Sequence, residues 1–517
     1  VTIFYTYFLS LPFAAAIEPH LPILQVVVPL LCAPICVLLR DAKLSWLWAT
    51  IVTWITFFIA LVLLGKVLAS GLIIYELGSW PAPWGIEYRI DAANALVLVI
   101  VTAIAAITLP YAKVSVEKEV ARPRIYLFYL MYMLCMTGLL GITTTADAFN
   151  LFVFLEISSL SSYVLISLGG NRRALTASYR YLIMGTLGAT FYIIGVGMMY
   201  MMTGSLNMAD LATLLPAVDH TRTVLAAFAF VVVGLGLKLA MFPLHTWLPN
   251  AYAFAPSAVT VFLASTATKV AIYALLRLVF TVFGGTDLFT SSDISLMLII
   301  VALVGMFAGA FVAIFQTDVK RMLAYSSVSQ VGYMVLGIGM ATAAGLTGGI
   351  VHLFNHAVMK GAAFMAVGAM FYVIGSVRLN DLAGIGKRMP VTTAVFLVAG
   401  LSLIGTPLTV GFISKWYLVS AALGQGPWAI ALVVVILVSS LLAVAYLWRV
   451  LEPAFFGEPP PGRFDRSGPT DWAPVIMLWI AAAANVYFGL APQLPVELAG
   501  RSAEILLGLP AAAGDAP

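Results

Sequence analysis

Charge is what this chain has least of. Lys, Arg, Asp and Glu together make up 9% of its 517 residues, against about 25% in soluble globular proteins. So thin a polar coat excludes a chain that faces water all round. Cysteine is scarce too: Cys32 and Cys36 share one apolar run and Cys135 lies in another. Three thiols without a second pair do not make a metal or iron–sulfur set, and packing is their expected role. A Walker loop, a dinucleotide fingerprint and a cysteine cluster are all missing. Nucleotide and redox chemistry are therefore not expected of this chain, and neither a cofactor nor a resident metal is called for. The opening run TIFYTYFLSLPFAAAI has no basic n-region of the secretory type; it reads either as an extra interfacial segment or as an overlong start.

Apolar residues fill the space left by charge. They form 62% of the chain, and the mean hydropathy is +1.05. A helical span needs about 20 mostly apolar residues, and such runs recur almost without interruption. A β-barrel would instead show short alternating segments. The predicted fold class is an all-α polytopic membrane protein with about fourteen spans. Their approximate limits are 21–39, 46–67, 92–111, 125–143, 147–168, 178–202, 223–247, 256–282, 294–316, 320–341, 346–374, 391–419, 428–450 and 473–491. Between the second and third, YELGSWPAPWGIEYRID has the Gly/Pro punctuation and alternation of a small external hairpin. FGEPPPGRFDRSGPTD, before the last span, is a polar, proline-rich loop.

Under this topology seventeen of the 26 basic residues fall at one side, including Arg122, Arg172, Lys320, Arg378, Arg449, Arg463 and Arg466. Five fall at the other: Lys66, Arg89, Arg222, Arg277 and Arg501. The positive-inside rule then puts both termini on the outer side of a cell inner (plasma) membrane. The remaining four, Lys238, Lys269, Lys360 and Lys415, lie inside predicted spans. So does one carboxylate, Glu156, in VFLEISSLSSYVLISL. Each such charge costs roughly 3 kcal/mol on insertion scales and normally marks function or a partner. Snorkelling to the surface is the plain alternative. It suits Lys66 and Arg277, remains open for Lys415, and is weaker for Lys238 and Lys269, which have long apolar flanks. Burial disfavours the charged form of either residue type, and groups poised in that way meet the requirement of a proton relay.

Lys238 precedes Pro243 by five residues, so its helix should break near that proline. Lys415 follows Pro407 by eight, in a span also punctuated by Gly405 and Gly411. Two interrupted spans, seventh and twelfth, stand an odd number of spans apart and run in opposite directions. That is the signature of an inverted repeat around a midplane ion site. In the eleventh span His352, His356 and Lys360 are spaced i, i+4, i+8, stacked on one helical face over about 12 Å. Three protonatable groups in a row suit proton transfer. Zinc would need a further ligand that this helix lacks, and haem a facing partner, for which only His245 remains. Stretches such as SSLSSYVLIS, ASTATK and YSSVSQVGY supply hydroxyls for water wires, or small side chains for close packing.

ADAFNLFVFLEISSLSSYVL, GLGLKLAMFPLHTWLPNAYAFAPSAV, TDVKRMLAYSSVSQVGYM, HLFNHAVMKGAAF and GFISKWYL together resemble the antiporter-like proton channel subunits of respiratory complex I, membrane-bound hydrogenases and Mrp Na+/H+ antiporters. The resemblance covers nearly the whole chain. It implies fourteen helices with two inverted five-helix units, helices 4–8 (residues 125–282) and 9–13 (294–450). Residues 1–124 would precede these units, and 451–517 would hold the proline-rich loop, helix 14 and a tail. It also implies roles: Glu156 and Lys238 as a coupled pair, Lys269 as a connecting lysine, His352, His356 and Lys360 as the central axis, and Lys415 as the terminal residue. Asp147, at the mouth of the fifth span, would face an adjoining subunit. FNLFVFLEI and the length resemble the Mrp D chain, whereas HTWLPNAYAFAPS reads more like complex I subunits. Lys415 argues against the branch that carries glutamate there. The expectation is a proton-translocating subunit of a cation/proton antiporter, the alternative a proton-pumping subunit of a redox-driven complex. Its expected partners are further subunits, lipid, protons and, through a partner subunit, Na+, but no nucleic acid. A single carboxylate is a poor cage for Na+.

Overall fold

In the computed structural model the described residues are 2–12, 14–286, 288–289, 294–458 and 472–509. The chain is a mostly helical polytopic membrane protein. Each of the fourteen expected segments coincides with a helix or a broken helix. We label them α1 (Ala14–Leu39), α2 (Ala42–Ser70), α3 (Ala92–Glu119), α4 (Arg122–Thr144), α5 (Ala148–Ser167), α6 (Arg172–Thr203), α7 (Arg222–Leu239), α8 (Ser257–Val282) and α9 (Ile294–Ile314). The remainder are α10 (Val319–Gly339), α11 (Ala343–Ile374), α12 (Pro390–Ile404, continued as Val410–Leu423), α13 (Gly426–Phe456) and α14 (Trp472–Leu490).

Among the described residues eleven of these helices are long and apolar enough to cross a membrane, and α14 makes a twelfth with the helix α15 (Gln493–Leu506), bent from it by 69°. The other two fall short for visible reasons. Helix α10 carries Lys320, Arg321, Ser326, Ser327, Ser329 and Gln330; α12 is split into pieces of 15 and 14 residues. The expected hairpin is present as β1 (Ile73–Glu76) and β2 (Glu87–Ile90), antiparallel with Ile73 opposite Ile90. A short helix, Thr2–Leu9, stacks Phe4 on Phe58 of α2. Most of the proline-rich loop, with Arg463 and Arg466, lies outside the described residues.

Lipid offers no hydrophobic drive between helices, so they hold together by close packing of small residues. Gly138 of α4 faces Ser158 of α5 so closely that an added Cβ would lie 2.7 Å from the serine Cβ. Several serines that looked like water-wire material have this packing role: the hydroxyls of Ser158, Ser161 and Ser162 all donate to carbonyls of their own helix. Helices α8 and α11 pack against each other at the centre and are largely buried.

Two stretches are built alike. Helices α6 and α11 are each 32 residues long. Both end on a left-handed glycine, Gly204 (φ 73°) and Gly375 (φ 75°), where a side chain would be strained. These glycines open GSLNMADL and GSVRLNDL, at the same offset along the chain. At that offset too, Asp147 caps α5 by accepting from Asn150 N, and Asp318 caps α10 by accepting from Arg321 N. Asp147 bridges to Asn207 and Asp318 to Arg378 in matching antiparallel pairs.

Arg277 does not snorkel. It is buried near the end of α8, with its guanidinium ion-paired to the buried Asp91 that caps α3. Its Nε donates to the Tyr273 hydroxyl at 2.9 Å, and that hydroxyl donates to Thr143 O at 3.1 Å, which ties α8 to α3 and α4. Arg277→Met alone leaves Asp91 buried and unpaired, a loss of about 3–5 kcal/mol. Thermal unfolding in detergent should show a clear drop for this variant and recovery of most of it in Asp91→Asn/Arg277→Met.

Candidate functional site

The first cluster forms where α7 stops. Ala240 takes a left-handed conformation (φ 60°) and ends the helix three residues before Pro243. A second piece, Leu248–Phe254, follows and packs against α10. Lys238 therefore stands in the last turn before the break and is buried. Its Nζ donates to Ser159 Oγ and lies 3.8 Å from Glu156 Oε1, which has no hydrogen-bond partner of its own. The ion pair is loose, and the serine holds the ammonium more closely than the carboxylate does. The Tyr163 hydroxyl on the same helix is buried without a partner.

The second cluster is the α8/α11 seam. Lys269 is fully buried, its Nζ donating to Ala264 O and, at 3.4 Å, to Thr268 Oγ1. Its helix α8 packs against α11, which carries His352, His356 and Lys360. Those three are also fully buried and share one face of α11. The two imidazoles stack with centroids 6.1 Å apart. His352 Nδ1 meets Ser414 Oγ at 2.9 Å, while both nitrogens of His356 lack a partner. Lys360 turns to α10, donating to Leu323 O at 2.7 Å and to Ser326 Oγ. No three His, Cys, Asp or Glu side chains converge among the described residues.

The third cluster closes the row. Helix α12 breaks at Gly405, with φ 90°, and its continuation brings Lys415 back over the break. Lys415 Nζ reaches Leu403 O at 2.9 Å, Ile404 O at 2.8 Å and Ser440 Oγ of α13 at 2.9 Å. Snorkelling is thereby replaced by capping: the ammonium satisfies carbonyls that the interrupted helix leaves open. Its Nζ also lies 5.1 Å from the centroid of Tyr333, whose ring stands 5.2 Å from His352. Glu156, Lys238, Lys269, Lys360, His356, His352 and Lys415 thus occupy buried or half-buried positions from the α7 break to the α12 break.

Two expected residues stand apart. His245 sits in the loop at the α7 break, half-buried, stacked on Phe242 at 5.3 Å and edge-on to Tyr325 of α10 at 6.5 Å. Asp147 lies at the far end of α5 from Glu156's middle turns, its carboxylate engaged by Asn150 N at 2.6 Å. Burial pushes that carboxyl up, against the backbone donors that hold it down. Sequence reasoning marked Ser159 and Ser326 only as members of hydroxyl-rich stretches, and it missed Ser440 and the carbonyls of Leu403 and Ile404 as acceptors of the ammonium hydrogen bonds. A hydroxyl inside an otherwise apolar run, as at Ser440, was the available signal.

A row of buried cations spanning two broken helices defines an antiporter-like membrane protein. Residues 145–442 match the family described as NADH:quinone oxidoreductase/Mrp antiporter, TM, and the chain belongs to it. It is 43% identical to the N subunit of the NADH-quinone oxidoreductase of Desulforudis audaxviator, over 87% of this chain and 90% of that one. It is 33% identical to the D chain of the Na(+)/H(+) antiporter of Alkalihalophilus pseudofirmus, over 75% and 77%. A chain of the Mrp complex from Dietzia sp. DQ12-45-1b superposes with a TM-score of 0.86 at 27% identity, covering 95% of this chain and 98% of that one.

Because Lys415 caps a helix break, Lys415→Met should lower stability. Unmet buried carbonyls cost roughly 1–3 kcal/mol each. Lys415→Arg keeps the donors and should unfold near the wild-type temperature in detergent, with Lys415→Met several degrees lower.

Proposed function

We propose that this chain is the proton-translocating subunit of a multisubunit cation/proton antiporter. Protons reach Lys238, whose hold on its own proton is set by Glu156, and pass by way of Lys269 and the Lys360–His356–His352 column to Lys415. The observation that carries this reading is the burial of six titratable side chains, four lysines and two histidines, with Glu156 beside the first and serine or backbone hydrogen-bond partners at most of them. A scaffold has no need of four buried lysines. His245 and Asp147 lie off the row, and Asp147 faces an adjoining subunit in this reading.

The matching caps of α5/α10 and the matching ends of α6/α11 support two inverted units, residues 125–282 and 294–450. The basic excess at one end supports both termini on the outer side of the inner (plasma) membrane. Partners are the other subunits of the complex, and Na+, where it moves, moves through one of them. The chain calls for no cofactor or metal of its own.

A second reading has its own support. The 43% identity with a relative named as the N subunit of an NADH-quinone oxidoreductase favours a proton-pumping subunit of a redox-driven complex. Purifying the tagged complex decides between them: small membrane subunits alone for the antiporter, iron–sulfur subunits for the redox machine.

Both readings require the relay. Glu156→Gln and Lys238→Ala should each leave the complex assembled and reduce ΔpH-linked exchange in everted vesicles at least tenfold. Near-normal exchange in an assembled Lys238→Ala complex defeats the relay. Lys415→Arg separates capping from proton transfer. Guanidinium keeps its charge, with a pKa above about 12, so this variant should be stable yet transport poorly between pH 6 and 9.

A further inference from the structure

His352 is held at one ring nitrogen and left open at the other. Its Nδ1 lies 2.9 Å from Ser414 Oγ, across the contact between α11 and the second piece of α12. Its Nε2 is buried and bonds nothing among the described residues. Ser414 Oγ has a second contact, at 3.2 Å, with Gly411 O one turn back in its own helix. Three residues further along α11, Asn355 Nδ2 donates to Val410 O at 2.5 Å. The two helices are thus fastened at neighbouring points, and the serine is fixed against the ring. Ser414 and His352 are both fully buried.

Counting hydrogens decides which way these bonds run. A serine hydroxyl has one hydrogen and two lone pairs. A carbonyl only accepts, so the contact with Gly411 takes the serine's hydrogen, in the back-bond that helical serines commonly make. The contact with Nδ1 must then carry a hydrogen from the ring. In the reverse arrangement Ser414 would give its hydrogen to Nδ1, and its oxygen would face the Gly411 carbonyl at 3.2 Å with no hydrogen between them. The open end of the ring agrees. With Nδ1 protonated, neutral imidazole has a lone pair at Nε2. The reverse leaves an N–H there, and a buried N–H without an acceptor is the rarer of the two.

We propose that Ser414 is a positioning residue for the relay: it fixes neutral His352 as the Nδ1–H tautomer, so that this residue takes and gives up its proton at Nε2. This rests on the relay reading above, which assigns His356 and Lys415 as the neighbouring stations. On uptake the Nε2 lone pair forms the new N–H bond, and the ring becomes imidazolium with the Nδ1–H bond to Ser414 unchanged. On release the Nε2–H bond breaks, its electron pair returns to nitrogen, and the starting tautomer is restored. Nε2 bonds neither station in this structure, so water carries the proton across each gap. A ring without Ser414 could gain a proton at one nitrogen and lose it from the other. It would then have to exchange tautomers before the next cycle. The His356 centroid stands 6.1 Å from that of His352, and Tyr333 of α10 stands at 5.2 Å. Lys415 Nζ lies 5.1 Å from the same Tyr333 centroid.

The test reads the tautomer itself. The whole complex, carrying isotope-labelled histidine, is reconstituted in liposomes and examined by solid-state NMR at about pH 9, above the ordinary range of imidazole. The His352 signals are those that disappear in His352→Asn. Wild type should show Nδ1 protonated and Nε2 bare. Ser414→Ala should lose that form in favour of Nε2–H or a mixture, and Ser414→Thr, which keeps the hydroxyl, should retain it. In everted vesicles exchange should fall about tenfold or more in an assembled Ser414→Ala complex, as a misplaced tautomer costs elsewhere, and stay near wild type in Ser414→Thr. An Nε2–H ring in wild type, or an unchanged tautomer in Ser414→Ala, overturns the assignment. Wild-type exchange despite a changed tautomer overturns the positioning role. His352→Asn separates the two levels, because its amide can still donate to Ser414 but offers no base. Normal exchange in an assembled His352→Asn complex is a failure of the relay reading, whereas a silent His352→Asn with an Nε2–H ring in wild type is a failure of the tautomer assignment alone.

Discussion

An ammonium group in hydrocarbon must find oxygen atoms to bond, and most of the site follows from that requirement. A regular helix offers few, because each of its carbonyls already accepts one backbone hydrogen bond and keeps only a second lone pair for a side chain. The chain supplies them in three ways. Hydroxyls project from neighbouring helices, as Ser159 does to Lys238 and Ser326 to Lys360. Carbonyls are reached within or across a helix, as Ala264 is by Lys269 and Leu323 by Lys360. A helix is also broken outright, which frees Leu403 and Ile404 for Lys415. Small residues then let the helices approach closely enough for these bonds to form.

Much of this was legible in the sequence because the bilayer makes burial cheap to read. Within an apolar run a lysine stands out, and all four lysines so marked are buried with partners. The breaks were legible from proline and glycine, but their positions were not. Helix α7 stops at Ala240 rather than at Pro243, since a proline ring blocks the turn that precedes it as well as its own hydrogen bond. The two lysines also prove unlike: Lys238 precedes its break, whereas Lys415 follows its own and folds back over it.

Other features were hidden for physical reasons. Arg277, near the end of an apolar run, carries no local mark that distinguishes a snorkelling side chain from one paired to Asp91, because its partner is remote in sequence. Hydroxyls were ambiguous for the opposite reason: Ser158 and Ser159 are adjacent, yet one bonds its own helix and the other a lysine. Helical phase separates them, and single-sequence inspection of a uniformly apolar run does not reveal which face is which. The likeness of GSLNMADL to GSVRLNDL was present throughout and needed a comparison of the chain with itself at a fixed offset.

The partners of Lys415 carry a further consequence in their number. An ammonium has three N–H donors, and here there are three acceptors: two carbonyls and the Ser440 hydroxyl. A carbonyl can only accept, but a hydroxyl can also donate. If the lysine gives up one proton, as the proposed relay requires, the two that remain match the two carbonyls, and Ser440 can turn its hydrogen from Ile436 O, 3.0 Å away, to the amine lone pair. Both protonation states are then fully hydrogen-bonded without any movement of the backbone. A relay through this lysine would therefore leave no helix end unsatisfied in either state.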